Sequence, residues 1–197
     1  MGVLGAALLL VVGVSVGFLI PTLRAPGDDS VDAGFARDMS LHHTQAVEMA
    51  MFAYRLGSTD DIRTLGYDMA LSQQWQIGQM QTWLNEWNLS TNSDKAPMAW
   101  MPDGKNALQP DGRMPGMASD DELKKLKSST GKDFDTLWCQ LMLRHHLGGI
   151  HMSETAAKKA STTEVRDAAE KIRVSQQYDI TALTEKLQDL GAQPLPS

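Results

Sequence analysis

The sequence predicts an all-α protein: a four-helix bundle built from two repeated αα-hairpins, preceded by an N-terminal hydrophobic helix. Three observations lead there. From residue 31 onward the apolar residues recur at helical spacing, and no alternating strand pattern occurs. The chain matches itself after a shift of 103 residues. Between the matching halves lies a stretch with four Pro and three Gly, residues 90–118.

The first element is an uncharged run, Val3 to Ile20, closed by Pro21. A helix spanning a bilayer takes about 20 such residues. The run has no polar face, which argues against a helix buried in a soluble domain. Residues 1–24 therefore read as a signal peptide or a transmembrane anchor. The anchor is favoured, because no basic side chain precedes the run and no Ala-x-Ala follows it. Either reading puts the remaining chain outside the cytoplasm, secreted or held at the cell membrane. Residues 25–30 form a polar linker.

The bundle is expected over residues 31–197. Asp32 or Ser30 can cap a helix running to about Leu56, where Gly57-Ser58 breaks it. Thr59 or Asp60 caps a second helix, whose Ile62, Leu65, Met69, Ile77, Met80 and Leu84 keep helical spacing to near Leu89. These make repeat one, 31–89. Residues 90–118 form a Met/Pro-rich crossover loop, too long to be a plain connector. Repeat two, 119–192, opens with a short helix from Ser119 to Lys127, whose Asp120, Asp121 and Glu122 suit a helix N-terminus. Lys132 or Asp133 starts a third long helix to about Ala160. A fourth runs from the Ser161–Glu164 region to about Leu190 and stops at Gly191 and Pro194.

The shift of 103 aligns 35–88 with 138–191 without a gap. Met39 falls on Met142, His42-His43 on His145-His146, and Met49 on Met152. Arg63 falls on Arg166, Ser72-Gln73-Gln74 on Ser175-Gln176-Gln177, and Leu84 on Leu187. Apolar positions pair as well: Phe35 with Trp138, Ile62 with Val165, Ile77 with Ile180. Such a period is an internal duplication, and two αα-hairpins related by it make a bundle with a pseudo-two-fold axis.

Composition narrows the function. The 197 residues carry a net charge of −6, which argues against nucleic acid as a partner. The single Cys excludes an internal disulfide and a CxxC zinc site. All five His lie in two clusters that are equivalent under the repeat. Met39, His42, His43 and Met49 stand at i, i+3, i+4 and i+10 on one helix, so Met39, His42 and Met49 share a face. Met142, His145, His146 and Met152 repeat the arrangement, with His151 added. Imidazole nitrogen with thioether sulfur suits copper, the thioether favouring Cu(I). The competing reading is packing, since helical His and Met are often core residues. Recurrence in both halves, with no His elsewhere, favours the metal reading.

Other residues stay open. Gln73 and Gln176 fit either a hydrogen bond to a ligating His or an exposed polar face. Met69 and Met80 align with Ile172 and Leu183 and read as core, and Met51 is grouped with them. Met98, Met101, Met114 and Met117, in PMAWMP and RMPGM, read as soft-metal capture or as a flap sealing the bundle mouth with Trp100. Cys139, aligned with Ala36, reads as a buried inert thiol.

FARDMSLHHTQAVEMA, then SQQWQIGQMQTWL, RMPGM and LMLRHHLGGIHMS, resemble the bacterial domain-of-unknown-function 305 family over residues 31–191. The resemblance implies a ferritin-like bundle, exported or membrane-tethered, with copper binding in some members. It touches His42, His43, Met49, His145, His146 and Met152. The second half departs from the first at Gly148-Gly149 and His151, where Gln45-Ala46 and Glu48 stand, so the resemblance does not carry equal metal affinity to both halves.

The leading function is an extracytoplasmic copper-binding protein, Cu(I) or Cu(II), acting in sequestration or handover. Its ligands are His42, His43, His145 and His146, with Met39, Met49, Met142 and Met152, and more weakly His151, Met114 and Met117. A metal-free, membrane-tethered interaction module is the alternative. A ferritin-like di-iron enzyme lacks its Glu-x-x-His motifs, and no nucleophile sits in a recognisable setting, so no enzymatic activity is expected.

Overall fold

The structure, a computed structural model, describes residues 25–195. Six helices occur among them: α1 (Val31–Leu56), α2 (Asp60–Glu86), α3 (Gly104–Ala107), α4 (Asp120–Ser128), α5 (Gly131–Lys159) and α6 (Thr163–Asp189). There is no strand among the described residues. None of these helices is long and apolar enough to cross a membrane. The apolar run 3–20, with its expected hydrophobic helix, lies outside the described residues.

Local chemistry fixes the helix starts. The hydroxyls of Ser30, Thr59 and Thr162 accept from the backbone N–H groups of Ala33, Ile62 and Val165. Each such cap contributes roughly 1 kcal/mol. Ser119 and Glu122 form a reciprocal capping box on α4. Helix α5 starts at Gly131, slightly earlier than the expected Lys132 or Asp133, with Thr130 as its N-cap and no side-chain cap bond. Helix α2 ends at Glu86, where Trp87 and Asn88 leave helical geometry, Asn88 at φ 57°.

Asp32 is not the cap of α1. Its carboxylate crosses to the other hairpin, accepting from Ser161 N (2.8 Å), Ser161 Oγ (2.9 Å), Thr162 N (2.9 Å) and Thr162 Oγ1 (2.8 Å). Asp135, its equivalent under the repeat, accepts from the backbone N–H (3.0 Å) and hydroxyl of Ser58 in the first hairpin. Each half thus secures the turn of the other. Arg63 and Arg166 close their own turns, donating to Gly57 O and Ala160 O.

Helix α1 packs on α2 and α5 on α6, and the hairpins join along α1 and α5. The Asp32–Thr162 and Asp135–Ser58 bonds require α1 and α5 to run antiparallel. The core falls into two apolar clusters. One holds Met49, Met69, Phe134, Trp138 and Met142. The other holds Phe35, Met39, Met80, Met98, Met101, Met114 and Met152. Met51, grouped by its sequence with the core, is 40% exposed instead. Cys139 is buried in the first cluster, and burial pushes its thiol up to about 12.

The crossover is a packed flap. Trp100 donates from Nε1 to Asp38 (2.8 Å), Met98 N donates to the same oxygen (2.7 Å), and the Trp100 ring meets Phe35 edge-on at 5.9 Å. Gly34 makes room for it, since a Cβ there would lie 2.4 Å from the indole. Of the four loop methionines, Met98, Met101 and Met114 are buried and Met117 is half-buried.

Candidate metal centre

Between the two apolar clusters lies a layer of polar side chains. His42 and His43 reach it from α1, His145 and His146 from α5, and all four are at most 1% exposed. The antiparallel crossing brings the two pairs together. The His42 and His145 rings stack with centroids 3.7 Å apart and planes tilted 34°, and His145 lies 6.2 Å from His146.

Each imidazole has a distinct set of partners. His42 Nε2 lies 3.0 Å from Pro115 O in the crossover. A carbonyl only accepts, so Nε2 carries the proton and Nδ1, which has no partner, presents a bare lone pair. His43 Nε2 lies 2.7 Å from Gln76 Oε1, again leaving Nδ1 without a partner. His145, stacked on the His42 ring, has no partner at Nε2. His146 differs: Nδ1 faces Met142 O at 2.9 Å, and Nε2 faces Asp179 Oδ2 at 3.1 Å and the Gln73 amide at 3.4 Å. Gln76 and Asp179 are equivalent under the 103-residue repeat, so the second His of each pair leans on an amide in one half and a carboxylate in the other.

The layer is electrically restrained. Burial pushes His42 down to about 4 and His43 to about 3, and nearby imidazoles add to both shifts. Burial, with His42, His146 and His43 around it, holds His145 well below the usual imidazole range. The folded chain therefore keeps these three neutral, which is the form that binds metal. The unfolded chain takes up protons near pH 6.5. Stability of the metal-free protein is accordingly full above that pH and falls as pH drops toward 4. Urea unfolding at pH 7.5 and 5.0 should differ by on the order of 2 kcal/mol per buried imidazole. An unchanged midpoint would contradict the buried neutral cluster.

The repeated methionines bracket this layer. Met39 and Met152 lie in the cluster on one side, with Met114. Met49 and Met142 lie in the cluster on the other. All four are fully buried. His151 does not join the others: it is half-exposed and pairs with Asp103 at 2.8 Å. Among the described residues, no three His, Cys, Asp or Glu side chains gather into a metal-binding group. The four imidazoles, two of them stacked ring on ring, are therefore not arranged as a ready-made ligand cage.

The glycines of the second half have a steric cause. A Cβ on Gly148 would stand 2.0 Å from Pro115 O, and one on Gly149 would stand 2.3 Å from Gln176 Oε1. In the first half Gln45 replaces Gly148 and grips the same crossover, exchanging two hydrogen bonds with Ala118 (3.0 and 2.7 Å). Sequence reasoning missed Gln76, Asp179 and the Pro115 carbonyl. The first two carried a signal, since both stand 33 residues after the second His of their pair.

Comparison with known proteins agrees with this architecture. Residues 32–187 match the family described as Domain of unknown function (DUF305). The chain belongs to the DUF305 family. The crystal structure of a DUF305 protein from Streptomyces coelicolor, provisionally described as secreted, is 38% identical. It superposes with a TM-score of 0.80, covering 87% of this chain and 100% of that one. A DUF305 fragment from Deinococcus radiodurans is 27% identical at a TM-score of 0.67, covering 82% of this chain and 95% of its own. CopM in its Cu(I)-bound form is 20% identical at a TM-score of 0.63, covering 80% and 96%. At that identity the likeness is one of fold. No curated protein matches the chain.

Proposed function

We propose that this DUF305 protein binds copper outside the cytoplasm, as a store or a handover carrier. One observation carries the reading: three buried imidazoles, His42, His43 and His145, each keep a ring nitrogen without a partner in a layer bracketed by thioethers. A buried polar atom without a partner is costly. Neutral imidazole and thioether together are the donors that soft copper prefers. Met39, Met49, Met142 and Met152 are the sulfur donors of this reading, with Met114 beside them. His146 contributes through its bonds to Met142 O and Asp179, or as a further ligand once those are exchanged. His151 and Met117 lie outside the layer and are weaker candidates. The copper-bound forms of CopM, which shares the fold, support the same direction. Location outside the cytoplasm rests on the leader and on the description of the Streptomyces relative.

A second reading has its own support. Three of the four imidazoles, His42, His43 and His146, already make at least one internal hydrogen bond, as a metal-free interaction module would need. Titration of the purified chain with Cu(I), Cu(II) and Zn(II), in competition with chelators, separates the two. Tight uptake of copper over zinc is expected. No uptake below micromolar free copper leaves the metal-free module.

A further inference from the structure

The four imidazoles are themselves shut off from solvent, with only the Asp179 carboxylate beside His146 partly exposed, so a cation that reaches His42 and His145 must displace something. Helices α1, α2, α5 and α6 wall most of the layer, and their backbone bonds are satisfied within each helix. The segment Met114–Ala118 is different in kind. Its only internal backbone bond in a turn is Met117 N to Met114 O, at 3.2 Å. It lies across α5, with Gly116 (φ 79°) against the His145 backbone and Pro115 O over Gly148. Its Pro115 carbonyl also occupies His42 Nε2.

A few side-chain bonds hold the segment down. Gln45 grips Ala118 through both its amide atoms. Gln109 donates to Met114 O (2.8 Å) and Met117 O (3.0 Å). Outside it opens a cavity of about 410 Å³, lined by Pro115, Gly116, Leu147, Gly148 and His151 among others. The sulfur-bearing side chains of the segment grade inward, Met117 half-buried and Met114 buried beside Met39 and Met152.

The geometry points to Met114–Ala118 as the port of the His layer: a strap latched by Gln45, whose release opens a path for a soft monovalent cation past Met117 and Met114 to His42 and His145. The cation rests on the copper reading above, whereas the port itself is a property of the fold. Lifting the strap breaks a small set of hydrogen bonds, Arg113 to Met117 O among them, and draws Met114 and Ala118 out of the core, but it breaks no helix, so it is a local opening. It also frees His42 Nε2 from Pro115.

Acylation of histidine by diethylpyrocarbonate, mapped by mass spectrometry on the metal-free chain, tests the port without copper. Gln45→Ala removes the latch. Gly148→Ala forces the strap outward by another route, should the first variant be tolerated without opening. Both should raise labelling of His42 and His145 about tenfold, the effect of losing one or two hydrogen bonds from the closed state. Thiol labelling of Cys139, buried in the other cluster, should stay at the wild-type rate. With Cu(I) the same variants should load faster at unchanged capacity. Unchanged histidine labelling in both variants overturns the port, and so does an equal rise at Cys139, which would mean global unfolding. If the wild-type chain takes up no copper while the labelling responds, the copper reading fails and the port stands.

Discussion

Replacing His42 and His145 together by alanine should lower copper affinity by at least about a hundredfold, since the change removes two of the three buried imidazoles with a free nitrogen. Chelator competition on the wild-type and variant chains measures it. A structural role alone would predict a different pattern, in which affinity is kept and only stability moves. The variant carries a second signature that needs no metal. It removes two groups that resist protonation in the fold, so its unfolding should depend less on pH between 7.5 and 5.0 than that of the wild type. Retained affinity would remove these residues from the site. An unaltered pH slope would show that other groups carry the acid sensitivity.

The second large effect lies far from the histidines. Asp32→Ala strips four acceptor bonds from the Ser161–Thr162 turn and leaves two backbone donors without a partner. A loss of about 3 kcal/mol or more is expected, read as a lowered urea midpoint. Asp135→Ala should cost less, because Asp135 meets only Ser58. The two sites lie toward opposite ends of the α1–α5 pair, so their effects should add. Burial alone would raise the Asp32 carboxyl, but the bonds from Ser161 and Thr162 outweigh it and hold it below the usual range. Its contribution is therefore present above the ordinary carboxylate pKa and lost only in stronger acid. Asp32→Ala should leave the slope between pH 7.5 and 5.0 intact, which separates it from the histidine variant. Equal stability of the Asp32→Ala and wild-type chains would contradict the clamp.

Much of this was legible in the sequence. Helical spacing and capping residues gave the four long helices to within a few residues, because caps and periodicity are local. The offset of 103 placed both His-His pairs at equivalent positions, and the fold brings those positions together. What escaped depends on partners distant in sequence. Asp32 looked like a cap because the alternative acceptor role needs Ser161 and Thr162, some 130 residues away. His151 looked like a ligand by proximity to His145, but Asp103 of the crossover claims it. Gly148 and Gly149 looked like a lapse in the repeat. They are small because Pro115 and Gln176 press against them. Met51 keeps helical spacing yet faces outward, since spacing alone does not say which side of a helix meets its neighbour.

The reciprocal clamps also bear on how the two halves can differ. Neither hairpin satisfies all of its own turn: beside its own arginine and threonine, the first draws on Asp135 and the second on Asp32. Two identical hairpins paired about a two-fold axis could meet the same requirement, but any change in one would be imposed on both. A single chain lifts that condition. Here position 76 is glutamine and position 179 aspartate, and position 45 is glutamine while position 148 is glycine. Joined in one chain, the halves hold each other folded while one grips the strap with an amide and the other gives it a flat place to lie.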